Sequence, residues 1–313
     1  MQKQIIHIGL HKTSSTFLQK NIFPLCEEYQ LFTRPFTQLN HWFNRLQYED
    51  ASLFDSNGMN SFLENNILKY NKFIISDESL SGKPVGYSYI NRTMIAKRLK
   101  LFFPSAEIII FLRDQQDIIK SHYSSYIKMP YGTLKINNFL SVPSIDCTEK
   151  IDWLKNPNYN SLYYNSNDYH LNANNFKYTS LIELYKSLFE KVHVFLFEDL
   201  TKNPEFIFNR LGNILQTNIN YNNHTSKENV SLSNKMLERK RNINKLANLF
   251  DSEKMRTIVS KSYKYIPYPI LRSHNFDKTI MNMINDYYYD DNEKLKKMCE
   301  GIDWDSHPGK YRS

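Results

Sequence analysis

The run Glu107-Ile108-Ile109-Ile110-Phe111-Leu112 constrains the fold more than any other part of the sequence. A strand with one face in water alternates apolar and polar residues. This run does not alternate, so it predicts a strand covered on both faces, as in a parallel sheet sandwiched by helices. Helical periodicity from Ile90 to Phe103 stops before it at Pro104. Similar but weaker strand signals lie at Gln4 to Ile8, ended by Gly9, at Leu31 to Thr33, at Lys72 to Ser76 and at Val192 to Phe197. Between them, Thr13 through Phe23 carries a helical pattern with Phe17, Leu18, Ile22 and Phe23 on its apolar side. Asp114 with Asp117 three residues later reads as an N-cap opening a helix through Ser121 to about Lys128. Thr179 to Phe189 is helical, and Asn203-Pro204 opens a helix to about Leu215. Strands alternating with helices predict an α/β fold: a mainly parallel sheet of about five strands flanked by helices, with functional residues at the carboxyl ends of the strands.

The 313 residues contain no Gly/Ser/Pro tract that would act as a linker, so a single domain over 1–313 is expected. Within it, 129–176 is rich in Asn, Tyr and Ser with weak periodicity and reads as an irregular insertion or as short helices over one end of the core. Residues 234–313 read as a helical C-terminal part, clearest at Lys235 to Phe250 and Ile280 to Met298. No stretch approaches the roughly 18 apolar residues of a membrane helix, and Met1-Gln2-Lys3-Gln4 runs into a strand without a signal-peptide core. The expectation is a cytoplasmic protein with no integral membrane segment. Cys26, Cys147 and Cys299 are odd in number and far apart, which suggests neither a disulfide framework nor a metal knuckle. The net charge of +8 fits nucleic acid, an anionic membrane or a polyanionic small substrate, and by itself selects none of them. Part of the excess lies in Lys235, Arg239, Lys240 and Arg241, which read as a solvated helix face.

The first strand-to-helix turn holds more chemistry. His11-Lys12-Thr13-Ser14-Ser15-Thr16-Phe17 puts a lysine and four small hydroxyl residues where a helix begins. Unpaired amides and the positive end of the helix dipole make such a turn an anion site, and small side chains let phosphate oxygens approach the backbone. The same residues also suit an ordinary polar turn capped by Thr13 or Ser14. The Walker A spacing G-x-x-x-x-G-K-[ST] is not met, because Gly9 precedes Lys12 by only three positions.

The segment His11 to Gln19 resembles the 5′-phosphosulfate loop of PAPS-dependent sulfotransferases, whose bacterial and carbohydrate members commonly show H-K-T-G-T-T-x-L-Q. The resemblance implies a P-loop-like fold and PAPS as donor, with PAP as product and no metal requirement. It puts Lys12 at the sulfuryl group and the leaving oxygen, and His11, Thr13, Ser14, Ser15, Thr16 and Phe17 around the 5′-phosphate. Ser14 stands where the family usually has glycine, so a left-handed backbone there would strain it. A second element is similar too: Arg113 closes the apolar strand and Ser121 follows eight residues later, the pair that holds the 3′-phosphate in the family. Guanidinium suits a phosphate through two parallel donors and permanent charge. Gln115 replaces a frequent proline. More loosely, Val192 to Leu200 followed by Asn203-Pro204 resembles the family's late strand, with Glu198 and Asp199 expected to be structural. Lys227 to Ser233 is the candidate for a final donor-binding loop, although the R-K-G loop of cytosolic members is absent.

Sulfuryl transfer, like phosphoryl transfer, rests on positioning and charge stabilisation, and an acceptor hydroxyl also needs a base. Glu78, directly after the strand ending at Ser76, is the candidate base, as in carbohydrate sulfotransferases that use glutamate; it or Asp77 could instead simply cap the next turn. His41, His11 and His122 are weaker candidates. The expected partner is a small-molecule or glycan acceptor, with 129–176 as a candidate cover over it, and no nucleic acid. Two other classes stay open: a P-loop kinase-like phosphoryl transferase needing Mg²⁺ and ATP, and a non-catalytic polyanion-binding protein.

Overall fold

The computed structural model describes residues 2–34, 39–83, 91–141, 171–220, 232–265, 278–299 and 301–312. Strands β1 (Lys3–His7), β2 (Gln30–Thr33), β3 (Lys72–Ser76), β4 (Glu107–Leu112) and β7 (Val192–Leu196) form one sheet in the order β2-β3-β1-β4-β7. Every pairing in it is parallel. A short parallel pairing joins β5 (Leu140–Ser141) to β6 (Leu171–Asn172).

The apolar runs do what their lack of alternation requires. All six residues of β4 are buried, and successive ones enter two separate cores. Ile5, Ile74, Ile109, Phe111 and Phe195 pack on one face against Leu18, Ile22 and Phe23 and against Ile207, Leu211 and Leu215 of a helix at Pro204–Leu215. Ile6, Ile75, Ile108, Ile110 and Leu196 face the other way, toward helices at Arg92–Phe102, Gln115–Lys128, Tyr178–Leu188 and Lys278–Met298. Each such side chain contributes about 1.5–3 kcal/mol on burial.

Among the described residues the α-helices are, in chain order, α1 (Ser15–Phe17), α2 (Asn40–Tyr48), α3 (Ser56–Asn66), α4 (Arg92–Phe102), α5 (Gln115–Lys128) and α6 (Ile136–Phe139). They continue with α7 (Tyr178–Leu188), α8 (Phe197–Lys202), α9 (Pro204–Leu215), α10 (Asn234–Ala247), α11 (Glu253–Lys261) and α12 (Lys278–Met298). The chain leaves β1 toward the β2 edge and leaves β4 toward the opposite edge at β7. The winding therefore reverses between β1 and β4, and their carboxyl ends bound the crevice where ligands of such sheets bind.

Two expectations are revised. The helix over Thr13 to Phe23 is α-helical only at Ser15–Phe17; it widens into a π turn at Leu18–Ile22 and tightens into a 3-10 turn at Phe23–Leu25. Pro24 lies in that last turn and, lacking an N–H, cannot continue an α-helix. Lys240 and Arg241 are not on a solvated face but buried at 3% and 4% exposure. The Lys240 ammonium donates to the Ser260 carbonyl and hydroxyl, tying α10 to α11, and Arg241 pairs with Glu238. Of the stretch 129–176, the described part contains the short helix α6, the two-residue strands β5 and β6 and a 3-10 turn at Ala173–Phe176; residues 142–170 lie outside the described residues. So does most of the candidate loop Lys227 to Ser233, whose described end is Ser233, the N-cap of α10.

Candidate active site

Two turns meet in the β1/β4 crevice. After β1, Gly9 has φ 94°, and a Cβ there would lie 2.8 Å from Glu78 Cα. Only glycine lets the segment after β3 approach the first turn this closely. Lys12 and Ser14 then adopt φ 68° and 66°. Residues in the left-handed region within such a turn fold the backbone into a concavity that binds anions through its amides. Position 14 thus has the conformation for which glycine is preferred, and Ser14 occupies it with no side-chain capping bond to compensate.

The Arg113 turn, after β4, is braced from below. Asp114 caps α5 by accepting from the Asp117 amide at 3.3 Å, and it also accepts from the Tyr311 amide at 2.9 Å. Glu198 accepts from the Asp114 amide at 3.0 Å and from the Tyr311 hydroxyl at 2.8 Å, so its role is structural. Burial raises the pKa of both carboxyls. Tyr178 donates its hydroxyl to the Arg113 carbonyl at 2.6 Å. Gln115, where a proline would suit the first helical position, instead donates to Asn292 of α12 at 2.7 Å.

Arg113 Nη1 donates to the Lys12 carbonyl at 2.9 Å, joining the two turns, and its guanidinium lies 4.3 Å above the Phe197 ring. Its Nε is buried, with no hydrogen-bond partner among the described residues. Both side chains line one cavity of about 290 Å³ together with His11, Ser14, Ser15, Thr16, Phe17, Glu78 and Ser121. Among the described residues neither Lys12 nor Arg113 pairs with a carboxylate. Thr13 and Ser15 are both buried and both donate their hydroxyls to the Leu10 carbonyl, at 2.6 Å and 3.1 Å; Thr13 does not line the cavity, and its side chain shapes the turn from inside.

Four further lining residues were not anticipated: Ser124, Ser125, Lys128 and Phe197. Ser121, Ser124, Ser125 and Lys128 follow helical spacing and present one polar face of α5 to the cavity. That periodicity, counted forward from Ser121, is the signal that identifies them. Phe197 sits at the carboxyl end of β7, beside β4.

Lys12, Arg113 and Lys128 give the cavity three cations against the single carboxylate of Glu78. The Lys12 pKa is lowered, first by desolvation and then by Lys128 and Arg113, with Glu78 opposing them. Gln19 holds Glu78 in place, its amide lying 3.5 Å from Glu78 Oε2 while also donating to the Ser76 carbonyl at 3.1 Å. Asp77, beneath it, caps the following turn through the Ser79 amide and pairs with Arg34 at 2.9 Å. Of the histidines, burial holds His11 down to about 3, helped by Lys12, Arg34, Lys83 and Arg92. Burial likewise depresses His122 well below the usual imidazole range. Neither ring readily holds a proton, and His41 is exposed on α2 and does not line the cavity.

No family model matches the sequence, and no curated protein does. Among solved structures, a sulfotransferase from Alicyclobacillus acidocaldarius matches at 15% identity over 84% of this chain and 99% of its own, with a TM-score of 0.45. The sulfotransferase domain from the curacin biosynthetic pathway matches at 13% identity over 91% of this chain and 96% of its own, with a TM-score of 0.35. Likeness at this level carries no argument about the site, whose chemistry rests on its own geometry.

Proposed function

We propose that this protein transfers a sulfuryl group from PAPS to an acceptor hydroxyl or amine, with a carbohydrate as the acceptor class. The reading is carried by one observation: Lys12 and Arg113, cations from turns about a hundred residues apart in sequence, share one crevice with no carboxylate partner among the described residues. Cations that form no salt bridge to a described carboxylate, beside an anion-binding backbone turn, fit a ligand with two phosphate groups. In this reading Lys12 and the 14–16 backbone hold the 5′-phosphosulfate, and Arg113 with Ser121 holds the 3′-phosphate. Lys12 offsets the charge that builds on the bridging oxygen as its bond to sulfur breaks. Glu78 takes the proton from the acceptor hydroxyl as the new O–S bond forms.

In a thermal melt without metal, PAP at a hundredfold excess over its Kd should stabilise the protein by about 2.7 kcal/mol, a Tm rise of roughly 5 °C. Lys12→Ala and Arg113→Ala should each remove most of that rise. A rise with Mg·ATP and none with PAP would favour a phosphoryl transferase instead. Glu78→Gln should keep the PAP response while losing about 10²–10⁴ in turnover with labelled PAPS and a glycan acceptor. Undiminished turnover removes Glu78 from the base role.

A further inference from the structure

Residues 234–265 carry nine Lys and Arg against three Asp and Glu, a net +6 of the chain's +8. The same stretch exposes large apolar side chains: Leu246 at 47%, Leu249 at 79%, Phe250 at 40%, Met255 at 43%, Ile258 at 53% and Tyr265 at 84%. Leu246, Leu249 and Phe250 lie at the end of α10 and in the turn after it. Met255 and Ile258, three residues apart, lie on the outer side of α11. Exposed lysines Lys245, Lys254, Lys261 and Lys264 flank them. An exposed apolar cluster of this kind, edged by charge of one sign, marks an interaction surface.

Side-chain hydrogen bonds tie together the hairpin that carries this surface. The Lys240 ammonium and Ser260 join its helices from inside, and Arg256 donates to the Phe250 carbonyl at 2.9 Å across the turn. Asn244 donates to the carbonyls of Ile127, Met129 and Gly132 at 2.8–2.9 Å, which fastens α10 to the end of α5 next to Lys128. Its apolar residues therefore stay outside because the inner faces of both helices are already committed.

We infer that the outer face of the α10–α11 hairpin docks on an anionic phospholipid bilayer. Charge complementarity selects that occupant. Nucleic acid would neutralise the lysines but has no use for six exposed apolar side chains, whereas a bilayer takes the apolar residues into its headgroup boundary and pairs the lysines with its phosphates. The surface shares no residue with the crevice lining and does not depend on the chemistry proposed there.

The test is co-sedimentation of the full chain with vesicles of phosphatidylcholine alone and of phosphatidylcholine mixed with phosphatidylglycerol. Binding is expected to the mixed vesicles only and to weaken with added salt. Leu249→Asp and Ile258→Asp should each weaken it about tenfold, and Lys254→Glu and Lys261→Glu about fivefold or more each. All four positions are exposed, and an unchanged circular dichroism melt checks that each variant folds. Should an apolar variant misfold, the lysine variants decide alone. The inference is overturned by no binding to mixed vesicles, or by binding that the four substitutions leave unchanged. It is also overturned by a dimer that Leu249→Asp converts to monomer without any vesicle binding, which would make a second copy the occupant.

Discussion

Ser14 shows most sharply how the local backbone and the sequence can disagree. Its φ of 66° and ψ of 24° are those of a glycine position, and a non-glycine residue held there costs on the order of 1–2 kcal/mol. The sequence raises the question, since serine stands where glycine is usual, but it cannot answer it: the handedness of a residue depends on how the turn closes. The account predicts that Ser14→Gly raises stability by about 1 kcal/mol in a urea titration. Unchanged or lower stability would mean that the serine is not strained. Thr13 carries the complementary lesson. Its residue type suits phosphate binding as well as that of Thr16, and only the packing reveals that its hydroxyl, like that of Ser15, is spent on the Leu10 carbonyl.

At the scale of elements, legibility followed burial. β4 is readable because a strand covered on both faces must be apolar throughout, and α5 because Asp114 caps it in the expected manner. Helices α2 and α3 are not readable: α2 buries Trp42, Phe43 and Leu46 amid polar residues, and α3 is built from Ser, Asn and Gly that favour turns in isolation. Tertiary packing and the Asp55 cap, which accepts from the amides of Asn57 and Gly58, supply what intrinsic preference withholds. For the candidate site, the two turns at Lys12 and Arg113 are legible from strand ends and residue types. The α5 face that adds Ser124, Ser125 and Lys128 depends on the rotation of a helix, which periodicity gives only once one of its members is fixed. Phe197 depends on which strand neighbours β4, and that is a property of sheet order.

Across the whole molecule, burial leaves its mark on the pH dependence of stability. His7 is fully buried between Phe23 and Phe111, its Nδ1 2.7 Å from the Ser76 hydroxyl, and desolvation holds its pKa down to about 3. Above pH 6.5 the ring is neutral in both folded and unfolded chains and its protonation has no effect. Below 6.5 the unfolded chain takes up a proton that the folded chain refuses, so stability falls as the pH drops from about 6.5 toward 3. His11 and His122 act in the same direction, whereas the raised carboxyls of Asp114 and Glu198 oppose them. A difference measurement isolates one ring: relative to wild type, His7→Phe should gain about 2 kcal/mol on going from pH 7.5 to pH 5. An equal response to pH in both proteins would contradict the assignment.

The central claim is that a Lys12 turn and an Arg113 turn hold the two ends of one bisphosphorylated nucleotide. Calorimetric titration with PAP and with adenosine 5′-phosphate, which lacks the 3′-phosphate, tests it most directly. Wild-type protein should bind PAP far more tightly than the monophosphate, and Arg113→Ala should erase that preference while Lys12→Ala weakens both ligands. Equal affinity of the wild type for the two nucleotides, or a preference for PAP that survives Arg113→Ala, would contradict the account.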